Sequence, residues 1–162
     1  MKKILAMILA IITVMSFAAC GKNDADETLP TEEATEATLG NALAAVFEEN
    51  AEDMSIEEIA NEMVAHPSIL FNCMALEVEP GFLAGFDNEI TLFTKGMTFA
   101  PMIGSIAFVG YVFETEDADA LIAELKDNAN MRWNICVEAE EMVVKKHGNK
   151  VFFVMCPKEL EE

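Results

Sequence analysis

The chain has 162 residues, with 29 acidic side chains against 10 basic ones and a formal charge of −19. That length allows one modest domain, and that charge excludes a nucleic-acid partner because it repels phosphate. Collagen-like, disulfide-dense and multi-span membrane classes are excluded by composition as well.

Lys2 and Lys3 form a positive start, and Ile4 to Ala19 is an uncharged, mostly apolar run. A spanning helix wants about 20 apolar residues, so this run is short and has the shape of an export signal. It ends in Phe17-Ala18-Ala19-Cys20, followed by Gly21. Small residues before a cysteine resemble the lipobox of bacterial lipoproteins, although Phe17 stands where that family usually has Leu. The resemblance implies cleavage before a diacylglycerylated Cys20, which becomes the lipid-bearing N-terminus. An ordinary secretory signal or an uncleaved anchor is the alternative reading.

Loss of residues 1–19 removes Lys2 and Lys3, leaving 8 basic groups against 29 acids. Anionic lipid heads repel such a body. The acyl chains are therefore expected to do the anchoring, with the domain standing off the surface of the cell membrane on its extracytoplasmic side. Residues 21–38 hold six acids, one Lys, one Pro and a single large apolar residue, Leu29. Such a segment buries too little to offset its ordering entropy, so 20–38 reads as a lipidated cysteine and solvated acidic tether.

Residues 39–160 read as one α+β domain. Leu43, Val46 and Phe47 suggest a first short helix. Ser55-Ile56-Glu57-Glu58 is a capping box, and Ile56, Ile59, Ala60, Met63 and Val64 then fall on one helical face until Pro67. Residues 68–78 are apolar on both parities, so a strand and a buried helix both fit. Pro80-Gly81 breaks the chain, and 81–86 is a loop with two Gly-Phe steps.

Glu89 to Thr94 looks like a strand and Gly96 to Pro101 like a connection. Ser105 to Glu114 is the strongest strand. Ile106, Phe108 and Val112 point one way, and Ala107, Val109, Tyr111 and Phe113 the other. A strand apolar on both faces belongs in the sheet centre, and Gly110 inside it marks a bulge or a close neighbour. Thr115-Glu116-Asp117 opens a helix whose stripe is Ala118, Leu121, Ile122, Leu125 and Ala129. Apolar runs flanking Gly148-Asn149 predict a terminal hairpin. The sum is an antiparallel sheet of about four strands with helices packed on one face.

This order, behind a lipobox and an acidic tether, resembles small lipoproteins of Gram-positive gut bacteria that carry an α+β domain of unknown function. The resemblance rests on Cys20, the strand at 105–114, the helix from 117 and the Gly148-Asn149 hairpin. It covers about 70 residues plus the signal. It carries no catalytic residues to transfer and implies only an extracytoplasmic, membrane-tethered protein.

With Cys20 acylated, Cys73, Cys136 and Cys156 remain. None lies in a Cys-x-x-Cys spacing, and each has apolar neighbours. They read as small buried hydrophobes, with one structural disulfide of undetermined pairing as the alternative. An extracytoplasmic thiol-redox protein or other enzyme using one of them is the runner-up function.

No metal and no cofactor is expected. A turn at Gly148-Asn149 pairs His147 with Lys150, which puts Cys156 about 20 Å away at ~3.3 Å per residue. His66 sits at a helix end and can cap it. Glu114, Glu116, Asp117 and Asp119 read as a solvated helix start, with a loose Ca²⁺ site as the alternative. No Gly-x-Ser-x-Gly elbow, Walker loop or dinucleotide glycine pattern occurs.

The remaining candidate is a binding surface. Phe82, Phe86, Met102, Arg132 and Trp133 lie on connections and include the only Trp and the only Arg. Aromatic and Arg side chains on loops are what binding surfaces use, although large aromatics more often close a core. The first reading is that these residues cap the open face of a small core; in the alternative, segments 81–86, 97–104 and 132–134 line a groove for a peptide, glycan or small apolar ligand, or for a protein partner. The domain is expected to bind or scaffold rather than catalyse.

Overall fold

The computed structural model describes residues 37–103 and 106–159. The signal, Cys20 and the tether through residue 36 lie outside the described residues, as do 104–105 and 160–162. Along the chain come α1 (Leu39–Asn50), α2 (Ile56–Ala65), β1 (Cys73–Val78), β2 (Lys95–Pro101), β3 (Val109–Glu114), α3 (Ala118–Asn128), β4 (Glu141–His147) and β5 (Lys150–Cys156). The strands form one antiparallel sheet in the order β1-β2-β3-β5-β4. The α+β class stands, with five strands where about four were expected.

Local signals set most of these elements. The Ser55 hydroxyl accepts the Glu58 N–H while the Glu58 carboxylate accepts the Ser55 N–H, closing the capping box at α2. The Ser55 N–H and then the Ser55 hydroxyl, both donating to it, hold the Glu58 carboxyl below its usual value. Asp117 caps α3 through the Ala120 N–H at 3.0 Å. Gly148 takes φ +58, the left-handed backbone a tight hairpin needs, and His147 pairs with Lys150 as expected.

Period-two alternation in β3 and β5 divides the core. Phe108, Val112, Phe152, Val154 and Cys156 pack under α1 and α2. Val109, Tyr111, Phe113, Val151, Phe153 and Met155 pack under α3 and the 83–93 segment. The helices therefore cover both faces, not one. β4 records the same division: Lys145 pairs with Glu48 of α1 at 2.9 Å, and Lys146 with Asp119 of α3.

Two further readings need correction. Residues 89–94 form no strand; Ile90 alone bridges to Gly81. The N–H groups of Thr91 and Leu92 donate to the Glu124 carboxylate, so α3 takes donors that a ladder would have used. Gly96 to Pro101 is not a connection but belongs to β2, with Met97 and Phe99 in the core. Gly96 fits because a Cβ there would lie 2.8 Å from Val78 Cγ2 and 2.9 Å from Phe93 Cε2. β3 begins at Val109 rather than at 105.

The register fixes two ends of the sheet. Cys73, Pro101, Val109, Glu141 and Cys156 lie at one end, and Val78, Lys95, Glu114, His147 and Lys150 at the other. The described chain starts at the first of these. The Leu39 N–H donates to the Lys158 carbonyl at 2.8 Å, and the Gly40 N–H to Glu141 Oε1 at 2.7 Å. α1 has no acid in its own first turn, so β4 supplies the negative charge its N-terminus favours. α1 finishes at the other end, where the Lys150 ammonium donates to the Ala51 and Met54 carbonyls.

Candidate functional site

The five expected surface residues do not form one groove. Gly85, at φ +93, turns the loop down onto Val109 and Met155. Phe86 consequently joins the core, its ring 5.0 Å from Phe153 and 5.7 Å from Tyr111. The Tyr111 hydroxyl donates to the Ala84 carbonyl at 2.8 Å, which pins the same loop, and burial pushes the phenol up. Phe82 stays outside, 76% exposed.

Trp133 is half-buried against the α3-side core, whereas Arg132 is exposed and pairs with Glu138 at 3.4 Å. Because its ring packs on the core, Trp133→Ala should lower stability by about 1–3 kcal/mol. Urea unfolding checks this; an unchanged midpoint would place the indole outside the core.

Met102 belongs to a different assembly. Three connections meet at the sheet end where the described chain starts. They are 66–72 before β1, 102–108 before β3, and 129–140 before β4. The Met102 N–H donates to the Asn72 carbonyl at 3.0 Å, and Asn134 Nδ2 to the Ile106 carbonyl at 3.1 Å, so the three lie side by side. They expose Leu70, Met102, Ile103 at 89% and Ile135 at 81%. Segments 66–72, 102–108 and 129–137 contain no Asp or Glu, in a chain with 29 acids.

The opposite end is acidic. Glu52 and Asp53 lie between α1 and α2, Glu57 and Glu58 in the first turn of α2, and Glu114, Glu116 and Asp117 around the β3–α3 connection. Several of these acids have structural work. Glu114 pairs with Lys95 at 3.6 Å, Asp117 caps α3 and Asp119 pairs with Lys146. That is the surface-and-dipole account of 114–119.

The thiols do not converge. All three are free. Cys73 and Cys156 stand on β1 and β5, three strand spacings or about 14 Å apart, beyond disulfide reach. Burial pushes the Cys73 thiol up to about 11. Cys156 is buried and pushed further up, first by desolvation and then by the Glu141 carboxylate 3.4 Å away. Cys136 alone is exposed, in a loop where it takes φ +67. Among the described residues no three His, Cys, Asp or Glu side chains gather as a metal site. His66 closes α2, and its Nδ1 accepts the Ser68 N–H at 3.2 Å.

A cleft of about 770 Å³ opens beside α1, lined by Asn41, Ala42, Ala45, Leu70, Lys145 and Lys158 among others. It shares Leu70 with the exposed apolar sheet end, and its lining converges on no catalytic arrangement.

Sequence reasoning found Met102 and Ile103, through segment 97–104, but missed Leu70 and Ile135. The available signal was the absence of acids from three separated segments. Compared with protein-family models, with curated proteins and with solved structures, the chain finds no match.

Proposed function

We propose that this chain is a lipid-anchored extracytoplasmic domain, held at the membrane by acyl chains on Cys20, that acts by binding rather than catalysis. The supporting observation is the sheet end where Leu70, Met102, Ile103 and Ile135 stand exposed on three adjoining loops without a carboxylate in 66–72, 102–108 or 129–137. Soluble domains rarely leave clustered apolar side chains of this size uncovered unless something binds there. The exposed Cys136 supports a second reading, a thiol-redox protein, in narrower form than one using any of three thiols.

Expression of the full chain in a lipoprotein-processing bacterium tests the anchor. Intact mass should show a mature chain beginning at residue 20 and carrying acyl groups, and the protein should enter the detergent phase on phase separation. Cys20→Ala should lose both the acyl mass and the partitioning. A mature N-terminus elsewhere, without lipid mass, would overturn the anchor.

A further inference from the structure

We propose that the apolar sheet end is a lipid-seating surface: Leu70, Met102, Ile103 and Ile135 rest in the interfacial region of the membrane to which the chain is anchored. The inference rests on the lipid-anchor reading above and adds the occupant of the exposed apolar end.

Three observations select a bilayer over other occupants. The first is where the chain enters. The Leu39 N–H bonds to Lys158 and the Gly40 N–H to Glu141, so residues 37–40 lie at the same sheet end as the apolar loops. Eighteen residues separate Cys20 from Leu39, and a linker of that length read as a solvated coil spans roughly 23 Å root-mean-square. An anchor there holds this end at high effective concentration beside lipid.

The second observation is shape. The apolar side chains stand on separate loops, with Ile103 and Ile135 almost wholly exposed. Such projecting tips insert between headgroups, as the apolar face of an interfacial helix does.

The third is the distribution of charge. A body with this excess of acid is repelled by anionic headgroups. The acids of the α1–α2 and β3–α3 connections lie at the far end, about 20 Å away along a seven-residue strand. That is two Debye lengths at 0.1 M salt. Of the acids close to the apolar end, Glu138 pairs with Arg132, Asp87 accepts from Asn130 Nδ2, Glu140 accepts the Lys158 N–H and Glu141 is turned to α1, while Glu159 is exposed next to Lys158. The domain can thus lean on lipid through one end while the expectation that it stands off holds for the rest of its surface.

Trp133 supplies the readout, as the only tryptophan, two residues from Ile135. The full lipidated chain is placed in phosphatidylcholine vesicles, and emission is compared with and without lipids spin-labelled near the headgroup. Seating should quench Trp133 by a third or more. Met102→Ser with Ile103→Ser and Ile135→Ser should remove most of that quenching while the far-ultraviolet thermal transition is kept, since all three side chains are exposed. Anionic lipid should reduce the quenching, and added salt should restore it.

Intact mass and flotation with the vesicles report the anchor separately. A chain that carries its acyl mass and floats, yet shows no quenching or shows equal quenching in the triple variant, overturns the seat and leaves the anchor standing. A chain without acyl mass that does not float overturns both. A lipidated chain whose Trp133 is shielded by formation of a dimer on the vesicle assigns the end to a second copy and overturns the seat.

Discussion

Gly110→Ala should destabilise the domain by about 3 kcal/mol or more, lowering Tm by roughly 10 °C or more. An unhindered glycine in a strand gives the opposite sign, because alanine is better there by roughly 0.5–1 kcal/mol. Gly110 is hindered. It sits in the central strand, directly opposite Phe99 of β2, whose ring lies over it. A Cβ would come within 2.1 Å of Phe99 Cζ and 2.3 Å of Cε2. The ring has nowhere to go: Phe99 is fully buried, with Phe108 at 5.9 Å and Phe152 at 6.3 Å between centroids. The lost stability is a large part of the 5–15 kcal/mol typical of a domain. Adding Phe99→Leu should recover part of it, so that the double variant unfolds at a higher temperature than additivity from the two singles gives. Strict additivity in calorimetry would show that the ring contact is not the cause.

The same strand shows what the sequence could and could not convey. Ile106 to Phe113 carries apolar side chains on both parities, and β3 is the middle of five strands, each parity in its own core cluster. That pattern already called for cover on both faces, and the expectation of helices on one face did not follow it through. The capping box at 55–58, the helix start at 115–117 and the Gly148-Asn149 hairpin were readable because each is local. β2 was not readable. Gly96 and Pro101 bracket it like turn residues, and its glycine is explained only by Val78, Phe93 and Phe113 crowding in from elsewhere in the chain. Residues 89–94 failed for the converse reason: Ile90 and Phe93 are buried while Leu92 is exposed, a spacing no flat strand gives, and Glu124 on α3 holds the backbone. For the candidate surface, residue type was misleading. Phe86 and Trp133 are the residues a binding-site search favours, and both pack on the core. Leu70 and Ile135 are unremarkable in sequence, and with Met102 and Ile103 they become a surface only once the topology sets three loops together.

Native-state alkylation should separate the three thiols by rate, with Cys136 first, Cys73 next and Cys156 last. The reacting species is the thiolate, so rate follows access and ionisation. Cys136 has access. Burial raises Cys73 from an ordinary value near 9 to about 11, which cuts its thiolate population at pH 8 roughly a hundredfold. Its rate should keep climbing with pH through 9 and level off only near 11. The sign for stability is the same. Between the unfolded value near 9 and the folded value near 11 the unfolded chain gives up this proton first, so stability falls as pH rises through that window. Cys156 is fully buried on the central face of β5 and donates to the Glu141 carboxylate that also holds the start of α1. It should react only when the domain opens, on the order of 10³-fold or more below an accessible thiol. Quenched time points resolved by peptide mass would give all three rates at once. Equal rates for Cys73 and Cys136 would contradict the burial of β1 under α2. The rate that bears on function is that of Cys136: alkylation faster than free cysteine at pH 7 would mark an activated thiol and favour the redox reading, whereas a rate near that of free cysteine would leave it an ordinary thiol beside the lipid-seating loops.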